Sequence, residues 1–89
     1  MAYNAKNLSV LAYANGFTLW HYGTTDTAAV VDTAGYFDSA ADMLRAGDMI
    51  IGNVATASSP QAGIFVVRSI TGGVVNVSDL TSLGAVDTD

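Results

Sequence analysis

The sequence predicts a mainly β domain of the α+β type, with about six short strands and one short helix. Two turns, Asn15-Gly16 and Gly72-Gly73, each stand between β-prone runs, as in tight hairpins. All eight acidic residues are aspartate, which favours turns and caps, whereas glutamate favours helix interiors. The chain is 51% hydrophobic and 12% charged, a balance that excludes disorder. We therefore expect a small antiparallel β-sandwich or barrel, organised as an N-terminal arm (residues 1–7), a single domain (8–80) and a C-terminal tail (81–89).

The first two predicted strands, residues 8–14 and 17–22, form a hairpin around Asn15-Gly16. Both positions of a type I′ turn need positive φ, which Asn and Gly tolerate. Direct pairing across this turn places Tyr13 opposite Thr18 and Leu11 beside Trp20. Large apolar groups occur on both faces of the second strand, where Phe17, Leu19 and His21 alternate with Thr18, Trp20 and Tyr22. The hairpin is therefore either covered on both sides or meets another chain on one face.

The middle of the chain predicts a third strand at residues 28–31 and then the one helix at residues 38–46. Asp38 is the expected N-cap, because a carboxylate is favourable at the positive end of the helix dipole. Gly47 is placed as a left-handed stop. An apolar stripe lies between them, formed by Ala40, Met43 and Leu44.

Three further strands, at residues 49–54, 64–70 and 74–77, complete the predicted order β-β-β-α-β-β-β. A surface loop at residues 55–63 contains the only proline, Pro60.

The composition narrows the classes of function. A net charge of −5 with three cationic residues argues against binding to nucleic acid or to an anionic membrane surface. We expect a soluble protein, because no apolar run reaches the length of a membrane-spanning helix. Cysteine is absent, so disulfides cannot compensate for the thin core of so short a chain. Assembly with other chains is the remaining way to compensate.

Residues that could carry chemistry are few. His21 is the only histidine, and the chain lacks the G-x-S-x-G pattern of a nucleophile elbow. The densest acidic group, Asp38, Asp42 and Asp48, does not fit a calcium-binding loop. We therefore expect no catalytic residues, no metal, no cofactor and no enzymatic activity.

An interface with another protein is the expected functional site. Trp20 and Tyr22 are of the residue types that anchor interfaces, although the same face of the hairpin could be the core of the chain itself. The N-terminal arm either docks on a neighbouring chain or frays. The candidate interface residues are Tyr3, Lys6, Trp20, Tyr22, Pro60 and Gln61.

Several segments between residues 8 and 80 together resemble small proteins encoded among the virion structural genes of tailed bacteriophages. The resemblance implies a virion component, either a capsid decoration (cement) protein or the base of a head fibre, and it transfers no catalytic residue. It also implies synthesis in the bacterial host cytoplasm and a final location on the capsid surface. The segments that carry it are 19–22 (Leu-Trp-His-Tyr), 24–27 (Thr-Thr-Asp-Thr), 35–38 (Gly-Tyr-Phe-Asp), 42–50, 65–67 and 72–77.

The leading hypothesis is therefore a decoration protein that stabilises the head by binding the major capsid protein, as a homotrimer. A tail or baseplate component, or a fibre-attachment adaptor, is an alternative that the sequence does not separate from the first. A small ligand-binding or enzymatic β-barrel is a third hypothesis, which predicts a pocket with convergent polar groups.

Overall fold

In the computed structural model, which describes residues 3–84, the chain is mainly β, as predicted. A single open sheet of six strands has the order β1-β2-β3-β4-β5, and β6 also pairs with β4. The strands are β1 (Leu8–Ala14), β2 (Phe17–Gly23), β3 (Met49–Val54), β4 (Gln61–Thr71), β5 (Val74–Val77) and β6 (Thr81–Leu83). One short α-helix, α1 (Ala28–Val31), and two 3-10 turns, Ala5–Asn7 and Asp38–Ala40, complete the elements.

The arrangement of the strands differs from the antiparallel sandwich or barrel that we expected. β2 and β3 are parallel, with Trp20 opposite Ile50, whereas β3 and β4 are antiparallel, with Ile50 opposite Phe65. A parallel pair requires a crossover connection, because the chain must return to the same end of the sheet. Residues 24–48 make this crossover over one face, which leaves an open sheet with one covered side.

The core lies between the sheet and the crossover, which we call the cover segment (residues 24–48). Side chains from β2, β3, β4 and β5 on the covered face pack against four apolar side chains of the cover segment. The buried cluster consists of Trp20, Tyr22, Val31, Phe37, Ala40, Leu44, Ile50, Val54, Phe65, Val67, Val75 and Val77.

The helix prediction was wrong in position. Residues 28–31, predicted as a strand, form α1. Thr27 caps this single turn, because its hydroxyl accepts a hydrogen bond from the Val30 N–H at 3.4 Å. Val31 is fully buried, so packing on the sheet outweighs the β-propensity of the segment.

Residues 38–46, predicted as the helix, form the 3-10 turn Asp38–Ala40 followed by irregular turns. The Asp38 carboxylate caps no helix but accepts the Val75 N–H at 2.9 Å, which ties the cover segment to β5. The prediction of Gly47 in a left-handed conformation is confirmed, with φ at 98°.

The two predicted hairpins are confirmed. Gly72 and Gly73 have φ values of 59° and 82°, as a type I′ turn needs. At the first turn only Gly16 has a positive φ (77°), so the expected type I′ geometry is absent there. A bulge at Leu11 shifts the register, so that Val10, not Leu11, faces Trp20.

Part of the predicted C-terminal tail (81–89) belongs to the sheet, because β6 pairs with the first half of β4. Residues 85–89 lie outside the described residues. Close packing requires a glycine at this pairing, since a Cβ on Gly63 would overlap the Thr81 carbonyl oxygen and the Leu80 side chain. No helix among residues 3–84 has the length and apolar character needed to span a bilayer.

Candidate interaction surface

Two of the aromatic interface candidates, Tyr3 and Tyr22, lie in an aromatic cluster within the chain itself. Tyr3 stacks on Tyr22 with ring centroids 5.6 Å apart, and Phe37 contacts the Tyr22 ring edge to face at 5.2 Å. The backbone N–H of Asn4 donates to the Tyr22 hydroxyl at 3.0 Å. The described part of the N-terminal arm therefore docks on its own chain.

A chain of hydrogen bonds continues from this cluster into the protein. The Tyr22 hydroxyl lies 3.0 Å from the Tyr36 hydroxyl, which donates to Asp26 Oδ2 at 2.7 Å. Burial, and then the hydrogen bonds to Tyr22 and Asp26, raise the pKa of the Tyr36 phenol above its usual range. These groups hold the N-terminal arm, β2 and the cover segment together.

Trp20, the third aromatic candidate, is buried against the carboxylate of Asp48. The indole N–H of Trp20 donates to Asp48 Oδ2 at 3.1 Å, the Arg45 N–H donates to the same oxygen at 3.1 Å, and the Thr18 N–H donates to Oδ1 at 3.1 Å. For Trp20 and Tyr22 the structure therefore supports the alternative reading, in which this face of the hairpin is the core of the chain.

The other three candidates, Lys6, Pro60 and Gln61, are exposed. They lie towards one end of the sheet, where β1 and β4 begin and β2 and β3 end. Pro60 and Gln61 border an open groove of about 410 Å³ whose other lining residues are Asn53, Thr56, Ala62, Ser82, Leu83 and Gly84. Hydroxyl and amide groups supply the polarity of this lining.

The residues considered for chemistry are dispersed. His21 Nε2 lies 2.7 Å from Asn53 Nδ2 on the partly exposed side of the sheet. Asp48 is buried in the core, whereas Asp38 and Asp42 are exposed. No group of three or more His, Cys, Asp or Glu side chains that could hold a metal ion occurs among residues 3–84.

A second, more open groove of about 790 Å³ contains two carboxylates, Asp32 and Asp79. Burial, and then the neighbouring charge and hydrogen bond of Asp79, raise the pKa of Asp32. Arg68 also lines this groove, together with Ser69, Asn76, Val77, Ser78 and Thr81.

Strand β1 is an exposed, unprotected edge of the sheet that the choice of candidate residues missed. Val10, Leu11 and Tyr13 are 56%, 54% and 71% exposed, and within residues 3–84 β1 is an edge strand that pairs only with β2. Edge strands are usually protected by charge, proline or short length, whereas β1 has seven residues and neither charge nor proline. The absence of charged residues in 8–14 indicates such an edge in the sequence. The interface candidates followed the large aromatic residues of β2 instead.

The uncovered side of the sheet is a second unprotected surface. We call it the open face, and it consists of two rows of paired residues from β2, β3 and β4: Leu19, Met49 and Val66, and then His21, Ile51 and Ile64. In β3 and in residues 62–67 of β4, residues on this side are exposed or half-buried, while their neighbours on the covered side are buried. The apolar residues of this face are not among those that pack against the buried cluster.

Charge is almost absent from the sheet. Arg68 is the one formally charged side chain within the six described strands. The acidic residues of the described part lie in the cover segment and at the β5–β6 junction, namely Asp26, Asp32, Asp38, Asp42, Asp48 and Asp79. The chain therefore has an acidic layer on one side and a neutral apolar sheet on the other.

No protein family, curated protein or solved structure matches this chain. The function is therefore a proposal from the sequence and the geometry of its residues.

Proposed function

We propose that this chain is a structural protein of a tailed-bacteriophage virion, a capsid decoration protein that cements the outer surface of the head. In this role it binds the major capsid protein and uses no cofactor, nucleic acid or membrane. The resemblance of residues 8–80 to small virion proteins supports the proposal. So do the acidic, cysteine-free composition and the neutral apolar surfaces of the sheet.

The observation that carries the proposal is the unprotected edge strand β1. Its free edge presents backbone N–H and C=O groups, and Val10, Leu11 and Tyr13 present apolar surface beside them. An extended segment at the surface of a capsid subunit can add to such an edge, because backbone hydrogen bonds supply affinity and side-chain contacts supply specificity. A contact of this kind requires no change of fold in the decoration protein.

Cementing follows from many such contacts acting together. A stable protein interface buries about 800 Å² on each partner, and a decorated head repeats the contact at every equivalent position. Internal pressure must then break these contacts in addition to those between capsid subunits. Lys6, Pro60 and Gln61, exposed near the end of the sheet where β1 begins, are proposed to extend the same contact.

The proposal is tested with heads that lack this protein. Purified wild-type protein should bind them saturably and raise the temperature at which they release DNA. Val10→Glu should reduce the affinity by about 100-fold, since it places a carboxylate in the apolar contact. Val74→Glu is the matched control, because Val74 is also an exposed strand valine (44%) but lies on β5, away from β1.

Equal binding by the two variants would contradict the assignment of the contact to β1. Failure of the wild-type protein to bind any head would contradict the decoration role. Labelling with gold-conjugated antibody distinguishes the tail, baseplate or fibre-adaptor alternative. A decoration protein labels the whole head, whereas an adaptor labels one end of the particle.

A further inference from the structure

We infer that the open face is the surface through which copies of this chain associate with one another. The inference goes beyond the proposed capsid contact and does not depend on it, because it concerns the opposite side of the sheet from the core and not the β1 edge. Its central residues, Leu19, Ile51, Ile64 and Val66, are half-buried, and Met49 is 38% exposed. One side chain with a titratable group, His21, belongs to this surface.

The distribution of charge identifies a second copy as the occupant. Two chains that each carry a net charge of −5 repel one another, and their carboxylates are the source of the repulsion. The cover segment holds most of the described acidic residues, and no strand holds any. The open face is therefore the side on which two copies meet with their carboxylates directed apart. A basic partner, in contrast, would be attracted to the cover segment.

The dimensions of the fold make this separation effective. Packed β-layers lie about 10 Å apart, so two cover segments on the outside of two facing sheets are about 30 Å from each other. The screening length at physiological ionic strength is about 8 Å. Repulsion between the acidic layers of two copies is therefore almost completely screened in this arrangement.

The area of the open face sets the expected strength. The three strands of the open face, with neighbouring strands about 4.8 Å apart, are about 14 Å across, and six residues of a strand span about 20 Å. The resulting flat area of about 280 Å² is well below the roughly 800 Å² per partner of a standard interface. We therefore expect weak, reversible association, driven by apolar burial.

The experiment compares two methionines on opposite sides of the molecule. Met49 lies on the open face, whereas Met43 is 53% exposed in the cover segment. Sedimentation velocity of the full chain over a range of concentrations should show association of the wild type. Met49→Glu should raise its dissociation constant by about 100-fold, because like charges meet in an apolar contact. Met43→Glu makes the same chemical change and should leave the dissociation constant unchanged.

Near-UV circular dichroism of each variant confirms that it is folded. A mixture of Met49→Glu and Met49→Lys should associate again, since opposite charges then meet across the contact. The inference is overturned if the wild type stays monomeric, if Met49→Glu associates like the wild type, or if Met43→Glu weakens association equally. It is also overturned if Val10→Glu alone prevents association, which would assign self-association to the β1 edge. A chain that associates but binds no head would contradict only the capsid proposal.

Discussion

Replacing Asp48 by alanine should remove a large part of the stability of the domain. Asp48 is 1% exposed, and its carboxylate accepts three hydrogen bonds, from the Thr18 N–H, the Trp20 indole N–H and the Arg45 N–H. Alanine would leave one buried donor and two part-buried donors without this acceptor, and an unsatisfied buried donor costs about 1–3 kcal/mol. Since water can enter the space left by the carboxylate and satisfy part of this loss, we expect about 3–5 kcal/mol. Domains have total stabilities of about 5–15 kcal/mol, so the effect is large.

Asp48→Asn tests the same reasoning at an intermediate level. The amide keeps one acceptor oxygen, which can take the place of Oδ2 and accept from Trp20 and Arg45. Its NH₂ group then faces the Thr18 N–H, so that one hydrogen bond is lost and two donors oppose each other. The expected loss is about 1–3 kcal/mol.

Urea unfolding followed by the fluorescence of Trp20, the single tryptophan, measures these changes. Asp42→Ala is the control, because Asp42 is exposed in the cover segment and should change stability by less than about 0.5 kcal/mol. The expected order of destabilisation is Asp48→Ala, then Asp48→Asn, then Asp42→Ala. If Asp48→Ala loses less than about 1 kcal/mol with an unchanged denaturant slope, the hydrogen-bond argument is refuted.

Three further predictions follow from the structure. Tyr3→Phe should stabilise the protein by about 1 kcal/mol, because the buried Tyr3 hydroxyl has no hydrogen-bond partner among residues 3–84. Tyr22→Phe, which loses two hydrogen bonds, should destabilise it by about 2 kcal/mol, and similar urea midpoints for the two variants would contradict this. Gly63→Ala should lower the free energy of unfolding by about 1–3 kcal/mol through overlap with β6, and an unchanged melting temperature would count against the β4–β6 packing. Burial and the Asp79 charge raise the pKa of Asp32 in the folded protein, so the folded state binds this proton more tightly than the unfolded state does. The Asp32 contribution to stability should therefore fall as pH rises from the ordinary carboxyl pKa through the raised value. Asp32→Asn should lack that fall and be more stable than the wild type at pH 7, whereas parallel pH profiles would disprove the assignment.

Local patterns were sufficient for β1 to β5 and for the positions of the two hairpin turns, but they missed β6 and placed a strand at residues 28–31. The alternation of side chains along residues 17–22 and 64–67, and the glycines at positions 16, 72 and 73, indicate structure that depends on close neighbours in sequence. The helix prediction failed because Asp38 was interpreted as a local cap. Its carboxylate instead accepts the N–H of Val75, 37 residues away, a contact that no local pattern shows.

The candidate interface was only partly accessible to sequence reasoning, because burial depends on which face the cover segment occupies. Trp20 and Tyr22 are of the residue types that often anchor interfaces. Residues 24–48, however, cross their side of β2 and bury them. Lys6 in the arm, Pro60 in the loop and Gln61 at the first position of β4 are exposed, as residues in and beside connecting segments generally are. The sequence already indicated that the hairpin has two apolar faces. Which of them remains uncovered follows from the parallel pairing of β2 with β3, a long-range feature.

The open sheet explains a composition that would be unusual for a monomer with two solvated faces. A chain that is 51% hydrophobic and 12% charged has more apolar side chains than its buried cluster contains, and the structure places several of the rest on β1 and the open face. A single layer of sheet in so short a chain can cover only one of its faces, since the other would need a second crossover. Charged residues on the open face would improve solubility at no cost to the core, yet the described carboxylates lie in the cover segment and at the β5–β6 junction. This distribution favours a domain whose second layer is supplied by other protein molecules.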